Sequence, residues 1–193
     1  ADNLDFVTRT AIAANASSAE IRRLAGAYQP KTDYPDTRLG KSLRAIAGLI
    51  GGGLGTRIYY TAQSGYDTHS NQRGQHDKLL GELNDAVFAF QNDLAAQGQD
   101  QRVLTFTFSE FSRNIKENGS LGTDHGHAGA MFFFGPKVKP GLQAAYPSLD
   151  DVHQVRNGAL KHNMDFRSVD STVLEKWLDI KAEPIVGAFP QVD

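Results

Sequence analysis

Apolar residues recur at helical spacing through the first fifty positions of the chain. This pattern predicts a helix over about residues 3–15, and the capping sequence Ser17-Ser18-Ala19-Glu20 predicts the start of a second helix. A third helix is predicted over Leu39 to Leu49, and the glycine run at 51–53 is expected to end it. The amino-terminal quarter of the chain is therefore predicted to be helical throughout.

Two further amphipathic stretches lie later in the chain. The longer one predicts a helix from about Gln75 to Gln97, with Gly98 as its stop signal. The other spans residues 166–178 and follows Asp165, whose side chain is predicted to cap the helix. Arg167 could pair with an acid there or hold an anion, and the capping interpretation of this segment is favoured.

Three short runs rich in β-branched and aromatic residues predict strands. They are Thr56 to Thr61, Arg102 to Phe108 and Ala130 to Phe134. Strands interleaved with helices predict a single layered α/β domain over residues 1–193. Three short strands are too few for a sheet that this many helices would cover. We therefore expect the amino-terminal strands of the sheet to precede this chain or to come from another polypeptide.

Composition and charge exclude several classes of protein. A formal net charge of −2 and a pI of about 6.3 leave no electrostatic footprint of a nucleic-acid binder. No apolar run reaches the roughly 18 residues that a membrane span needs. The chain has no cysteine, so disulfides and thiolate metal sites are excluded.

The loop Gly65–Ser70 carries the first candidate chemistry. It follows the first predicted strand and contains Asp67 and His69, with His76 at the start of the next helix. Ligands bind at the carboxyl ends of strands in open α/β sheets, and Asp and His are ligands for divalent metals. The alternative is that Asp67 caps a turn and His69 is an ordinary exposed loop residue.

A second histidine-rich stretch precedes the last predicted strand. It contains Asp124, His125 and His127 between glycines that would let the backbone approach a ligand closely. The two histidines alternate, so both could point to the same side of an extended segment. We predict that this stretch and the Gly65–Ser70 loop face each other across one metal site, with either His125 or His127 as ligand.

The remaining polar candidates carry weaker signals. Glu110 follows an apolar strand, where it is either hydrogen-bonded to loop amides or acts as a metal ligand or acid/base group. Ser109 and Ser112 lack the Gly-x-Ser-x-Gly sequence of a serine-hydrolase nucleophile. His153 and His162 have no partner nearby in sequence and are predicted to be surface residues.

Three motifs in this order resemble one bacterial family. They are Gly65–Gln72, Thr107–Arg113 and Gly122–Ala128, and Phe132–Pro136 and Asp165–Val169 fit the family as well. The family is the domain of unknown function numbered 1501, which is similar to alkaline phosphatases and sulfatases. The resemblance implies a layered α/β/α sandwich of the alkaline-phosphatase-like fold, of which this chain would be the carboxyl-terminal half. It also implies an exported protein, periplasmic or secreted.

The resemblance also implies a role in the site for each of the candidate residues. Asp67, His69 and His76 match the middle group of metal ligands, and His125 or His127 matches the final histidine, with the spacing favouring His125. At the position of Glu110 the superfamily has an Asp-His pair that contributes to a second metal site. The glutamate departs from that pattern. The superfamily's nucleophile comes from the first strands and would precede Ala1.

The activity that the resemblance implies is hydrolysis of a phosphate or sulfate ester, assisted by Zn, Mg, Mn or Ca. The alternative is a non-catalytic exported metal- or ligand-binding protein on the same fold. A third hypothesis is a structural subunit that completes its sheet with a partner chain.

Overall fold

A computed structural model describes residues 2–150, 154–155 and 158–192 of the chain. The chain divides into two compact units. The first comprises residues 1–67, 73–105 and 133–138, and the second comprises residues 68–72, 106–132 and 139–193. Long helices and short strand pairs make up the described residues, which is compatible with the predicted α/β class.

Three helices form most of the first unit. They are α1 (Asp2–Ala27), α2 (Arg38–Gly51) and α3 (Gln72–Ala96). The predictions of α2 and α3 are confirmed within three residues at each end. The predicted break before Ser17 is wrong, because α1 runs through it without interruption. Glu20, the acidic member of the expected capping box, instead binds Arg23 one turn later, at 2.6 and 2.8 Å.

The hydrophobic core of the first unit lies between α2 and α3. The apolar stripes predicted for these helices supply it, and aromatic and aliphatic side chains from the connecting segments pack around it. The buried members are Leu39, Leu43, Ala47, Ile50, Ala86, Val87, Phe90 and Leu94. The start of α2 is fixed by Thr37, whose side-chain oxygen accepts a hydrogen bond from the Gly40 amide at 3.0 Å.

A buried carboxylate joins α3 to the segment before α2. Asp93 is fully buried and accepts hydrogen bonds from the Tyr28 hydroxyl at 2.6 Å, the Tyr34 hydroxyl at 2.8 Å and the Lys31 amide at 2.9 Å. Burial, followed by the hydrogen bond to Asp93, raises the pKa of both tyrosines. The network satisfies a charged group that would otherwise be costly to bury.

The predicted strands are shorter than expected. Thr56 to Thr61 is extended chain outside all three sheets of the described residues, so its prediction as a strand is wrong. Within it Ile58 and Tyr60 are exposed. Only two residues of each of the other two predicted strands form a strand in the structure. These are β1 (Thr105–Phe106) and β4 (Phe133–Phe134), which pair with each other. A high β-propensity favours an extended backbone but does not supply the neighbour that completes a ladder.

The second unit contains two antiparallel strand pairs. β2 (Ser112–Arg113) pairs with β3 (His125–Gly126), so that Arg113 lies opposite His125. β5 (Gln154–Val155) pairs with β6 (Ala159–Leu160). The β2–β3 pair is the element that brings a histidine of the second candidate stretch into a fixed position.

Two helices complete the second unit. α4 (Phe166–Thr172) continues into a π-helical turn over Val173–Trp177, and α5 spans Glu183–Val186. Asp165 caps α4 as predicted, because its carboxylate accepts a hydrogen bond from the Arg167 amide at 2.9 Å. The same carboxylate pairs with the Arg167 side chain at 2.6 Å, and these hydrogen bonds hold the pKa of Asp165 below its usual range. None of the helices described for this chain is long and apolar enough to cross a membrane.

Candidate metal centre

Two loops that carry candidate ligands run side by side. We call residues 67–72 the first loop and residues 118–127 the second loop. Three backbone hydrogen bonds join them, from the Asn71 amide to Ser120, from the Gln72 amide to Leu121, and from the Thr123 amide to Thr68, at 3.1, 2.9 and 3.2 Å. The loops named by the two sequence motifs therefore lie against each other, as predicted.

Gly122 permits this close approach, and Gly126 permits a similar approach of the second loop to Arg113. A Cβ atom at Gly122 would lie 2.2 Å from the carbonyl carbon of His69, and one at Gly126 would lie 2.5 Å from the carbonyl oxygen of Arg113. Neither distance is compatible with a side chain, because the neighbouring atoms belong to the backbone. The glycines around the histidine motif thus have a packing role close to the candidate ligands.

Arg113 links the two loops from the adjacent strand. Its guanidinium donates hydrogen bonds to the carbonyl oxygen of Thr123 at 3.0 Å and to the hydroxyl of Thr68 at 3.3 Å. Thr68 is buried between the candidate ligands Asp67 and His69. An arginine that holds the residue next to each candidate ligand limits how far the two loops can separate.

Three candidate side chains converge. One ligand atom from each of Asp67, His69 and His125 lies within 4.8 Å of the other two. Asp67 reaches this cluster through its own loop, two residues before His69. Ligand atoms around a tetrahedral metal with bonds of about 2.1 Å are about 3.4 Å apart, so the ligand atoms would move together by at most about 1.4 Å to bind an ion. All three side chains are exposed, and two imidazoles with one carboxylate form a donor set that fits a metal ion.

Ring contacts set the position of His125. Its imidazole stacks on the Phe111 ring with centroids 4.2 Å apart and 13° between the planes, and it lies 5.0 Å from the His69 ring. Arg113 also approaches Phe111, and its guanidinium carbon is 5.2 Å from the ring centroid. Stacking restricts the rotation of the imidazole and so favours one orientation of its nitrogen atoms.

Hydrogen bonds set the position of His69. Its Nδ1 lies 3.2 Å from a carboxylate oxygen of Asp124, and its carbonyl oxygen accepts a hydrogen bond from the Asn118 amide group at 3.0 Å. The Asn118 side-chain oxygen in turn accepts from the amides of Ser120 and Gly122, at 2.9 and 3.2 Å. Asn118 thereby shapes the second loop and ties it to the first.

The other predicted site residues lie outside the three-residue cluster. Asp124 contacts the cluster through His69, whereas His127 is exposed next to it in the chain. His76 points back toward the loop as expected, with its Nε2 3.4 Å from the Tyr66 carbonyl oxygen and its ring edge-on to the Tyr66 ring. Burial raises the pKa of the Tyr66 hydroxyl. Glu110 is exposed in the bend that leads into β2.

The two histidines predicted to be surface residues have different outcomes. His162 is exposed, as expected, and His153 lies outside the described residues. Sequence reasoning gave no role to Phe111, Arg113 or Asn118. The Asn118-Gly119 turn was visible in the sequence and marks the loop, but its contact with His69 joins positions 49 residues apart.

Comparison with protein families gives a match over most of the chain. Residues 9–169 match the family described as protein of unknown function (DUF1501). No curated protein and no solved structure matches the chain. The matched range contains the two loops, β2 and β3, and it covers most of the chain. This chain therefore belongs to the DUF1501 family.

Proposed function

We propose that Asp67, His69 and His125 bind one divalent metal ion, and that this centre serves the hydrolysis of phosphate or sulfate esters. The observation that carries the proposal is the convergence of their three ligand atoms within 4.8 Å. The residues come from two sequence motifs that are separated by more than fifty positions. A chance grouping of exposed acidic side chains would not also contain two imidazoles.

The donor set favours zinc among the divalent metals. Two imidazoles and one carboxylate suit a borderline metal, whereas Mg²⁺ and Ca²⁺ prefer sites built from oxygen atoms. Three protein ligands leave a coordination position open, which is the pattern of catalytic rather than structural zinc sites. A site near the surface, as here, also gives an ester access to that position.

The bound ion would polarise the ester oxygen and stabilise the charge that develops on it. Asp67 would offset part of the metal charge, and the stacked His125 would hold the ion against β3. Glu110 is assigned the acid or base role, since it is exposed two residues before the strand that pairs with β3. Its carboxylate is thus accessible to a substrate and to water.

The hydroxyl groups next to the candidate ligands favour the alternative of a metal-binding protein without catalysis. Thr68 is buried and bonded to Arg113, and the Ser112 hydroxyl donates to the carbonyl oxygen of Ala128. Both hydroxyls therefore serve the structure of the loops rather than attack on a substrate. With these two hydroxyls bonded within the loops, water is the nucleophile that the hydrolase proposal assigns.

We also propose that the chain is part of an alkaline-phosphatase-like α/β/α sandwich in an exported protein. The extended segment 54–64 supports this proposal, because it runs outside the three sheets with Ile58 and Tyr60 exposed. Such a segment is suited to pair with strands contributed by a further portion of polypeptide.

Hydrolysis of 4-nitrophenyl phosphate and 4-nitrophenyl sulfate tests the proposal. The protein is stripped of metal with a chelator and assayed before and after addition of Zn²⁺, Mn²⁺ or Mg²⁺. We expect turnover of one ester to depend on added metal, to be lost in His125→Ala and to persist in His162→Ala. If the wild type binds metal but hydrolyses neither ester, the hydrolase proposal falls and the metal-binding alternative stands.

A further inference from the structure

We propose that Asp124 is a positioning residue that orients His69 toward the metal and is not itself a ligand. The inference deepens the proposed function and rests on it, because it assumes that His69 ligates a metal ion. It gives different roles to two aspartates that look equivalent in the sequence, since Asp67 and Asp124 each stand within two residues of a candidate histidine ligand.

The contact between Asp124 and His69 favours one tautomer of the His69 ring. The Asp124 Oδ1 atom lies 3.2 Å from His69 Nδ1, and an ionised carboxylate can only accept a hydrogen bond. Nδ1 is therefore the protonated nitrogen in neutral His69, and the lone pair lies on Nε2. Nε2 is thus the atom that His69 offers to the metal.

A carboxylate in this arrangement strengthens a histidine ligand. Metal-binding histidines donate their second ring N–H to a carboxylate or carbonyl group, which fixes the tautomer and raises the basicity of the ligating nitrogen. Asp67 sits in the ligand cluster with His69 and His125, whereas Asp124 lies on the Nδ1 side of the same imidazole. The two aspartates thus have different relations to His69, since Asp124 is within hydrogen-bond distance of its Nδ1 and Asp67 shares the cluster of ligand atoms.

The second loop holds Asp124 in place. The Asn118 amide group lies 3.5 Å from the same Asp124 oxygen and also donates to the His69 carbonyl oxygen at 3.0 Å. The backbone of Asp124 is fixed separately, because its carbonyl oxygen accepts a hydrogen bond from the Asn114 amide at 2.8 Å. Asp124 is therefore anchored to the residue that follows β2 and, through Asn118, to the first loop.

Two measurements on Asp124→Asn and Asp124→Ala test the inference. The first is the tautomer of His69 in metal-free protein, read from two-bond ¹H–¹⁵N correlations of the ring with His69→Gln as the assignment control. We expect the Nδ1–H tautomer in the wild type and the Nε2–H tautomer in Asp124→Ala. The second is Zn²⁺ and Co²⁺ affinity, which we expect to fall by about 10- to 100-fold in both variants.

The Co²⁺ absorption spectrum distinguishes a positioning residue from a ligand. At saturating Co²⁺ we expect the visible bands of Asp124→Asn to match those of the wild type, because the ligand set is unchanged. Bands that change in shape, an Nε2–H tautomer in the wild type, or unaltered metal affinity in both variants would overturn the inference. Failure of the wild type to bind metal would instead overturn the proposed function, and the tautomer measurement would still decide the orientation of His69.

Discussion

Asp93 shows how a single buried charge is accommodated in the first unit. It lies on the same side of α3 as Phe90 and Leu94, where an unpartnered carboxylate would be strongly destabilising. Tyr28 and Tyr34 reach it from positions 65 and 59 residues earlier in the chain. The arrangement fixes the segment before α2 against α3.

We expect Tyr34→Phe to lower the free energy of unfolding at pH 7 by about 1–3 kcal/mol, because a hydrogen bond to a buried carboxylate is lost. The variant should also change the response to alkaline pH. The fold raises the pKa of Tyr34, so above about pH 10 the unfolded chain releases a proton that the native chain keeps. The stability supplied by this group is complete below that pH and is lost progressively above it.

Urea unfolding between pH 8 and 11 measures both effects. The loss of stability with rising pH should be shallower in Tyr34→Phe than in the wild type. Tyr146→Phe is the matched control, since the Tyr146 side chain is exposed, and it should leave both the stability and the slope unchanged. Equal slopes in Tyr34→Phe and the wild type would contradict the role assigned to burial beside Asp93.

At the scale of residues, the sequence predicts candidate ligands where Asp and His recur within a few positions. Asp67, His69 and His125 were found because Asp and His recur within a few positions in two glycine-containing stretches. Asp93 was not found, because a single carboxylate in an apolar stripe does not reveal which distant hydroxyls will reach it. The spacing of the resemblance favours His125 over His127, and among the described residues it is His125 that offers a ligand atom to the cluster with Asp67 and His69.

At the scale of elements, the packing of the second loop against the first loop depends on Gly122. We expect Gly122→Ala to destabilise the protein by about 1–3 kcal/mol, because its methyl group would meet the backbone of His69. The loops would have to separate, so zinc affinity should fall in the same variant.

Gly119→Ala is the control for this substitution. It lies in the same loop, but a Cβ atom there would meet nothing within 4 Å. Thermal unfolding and zinc titration of the two variants, measured side by side, check the prediction. If Gly122→Ala binds zinc as tightly as Gly119→Ala, close packing of the loops is not needed for the site.

Helices were more predictable than strands in this chain. The apolar stripes of α2 and α3 carry their own periodicity, and both helices begin and end within three residues of the expected positions. The strands Thr56 to Thr61 and Arg102 to Phe108 were overestimated, because a ladder needs a neighbour that local sequence does not specify. The helix break predicted before Ser17 is also wrong, since the Glu20 carboxylate binds the Arg23 side chain and does not cap a helix start.

At the scale of the whole molecule, membership of the DUF1501 family and the helical content agree with the sequence analysis. The division of the chain into two compact units could not be read from composition, because no linker-like segment separates them. Each unit is assembled from segments that are distant in sequence. The pairing of distant segments is also what gathers the candidate ligands.

The central claim is that Asp67, His69 and His125 form a metal centre, and equilibrium zinc binding tests it most directly. Metal-free wild type, the three alanine variants at these positions and His127→Ala are titrated with Zn²⁺ by calorimetry. We expect one zinc ion per chain in the wild type and in His127→Ala, and loss of this binding in Asp67→Ala, His69→Ala and His125→Ala. Binding that is absent from the wild type, or equal in all five proteins, would contradict the claim.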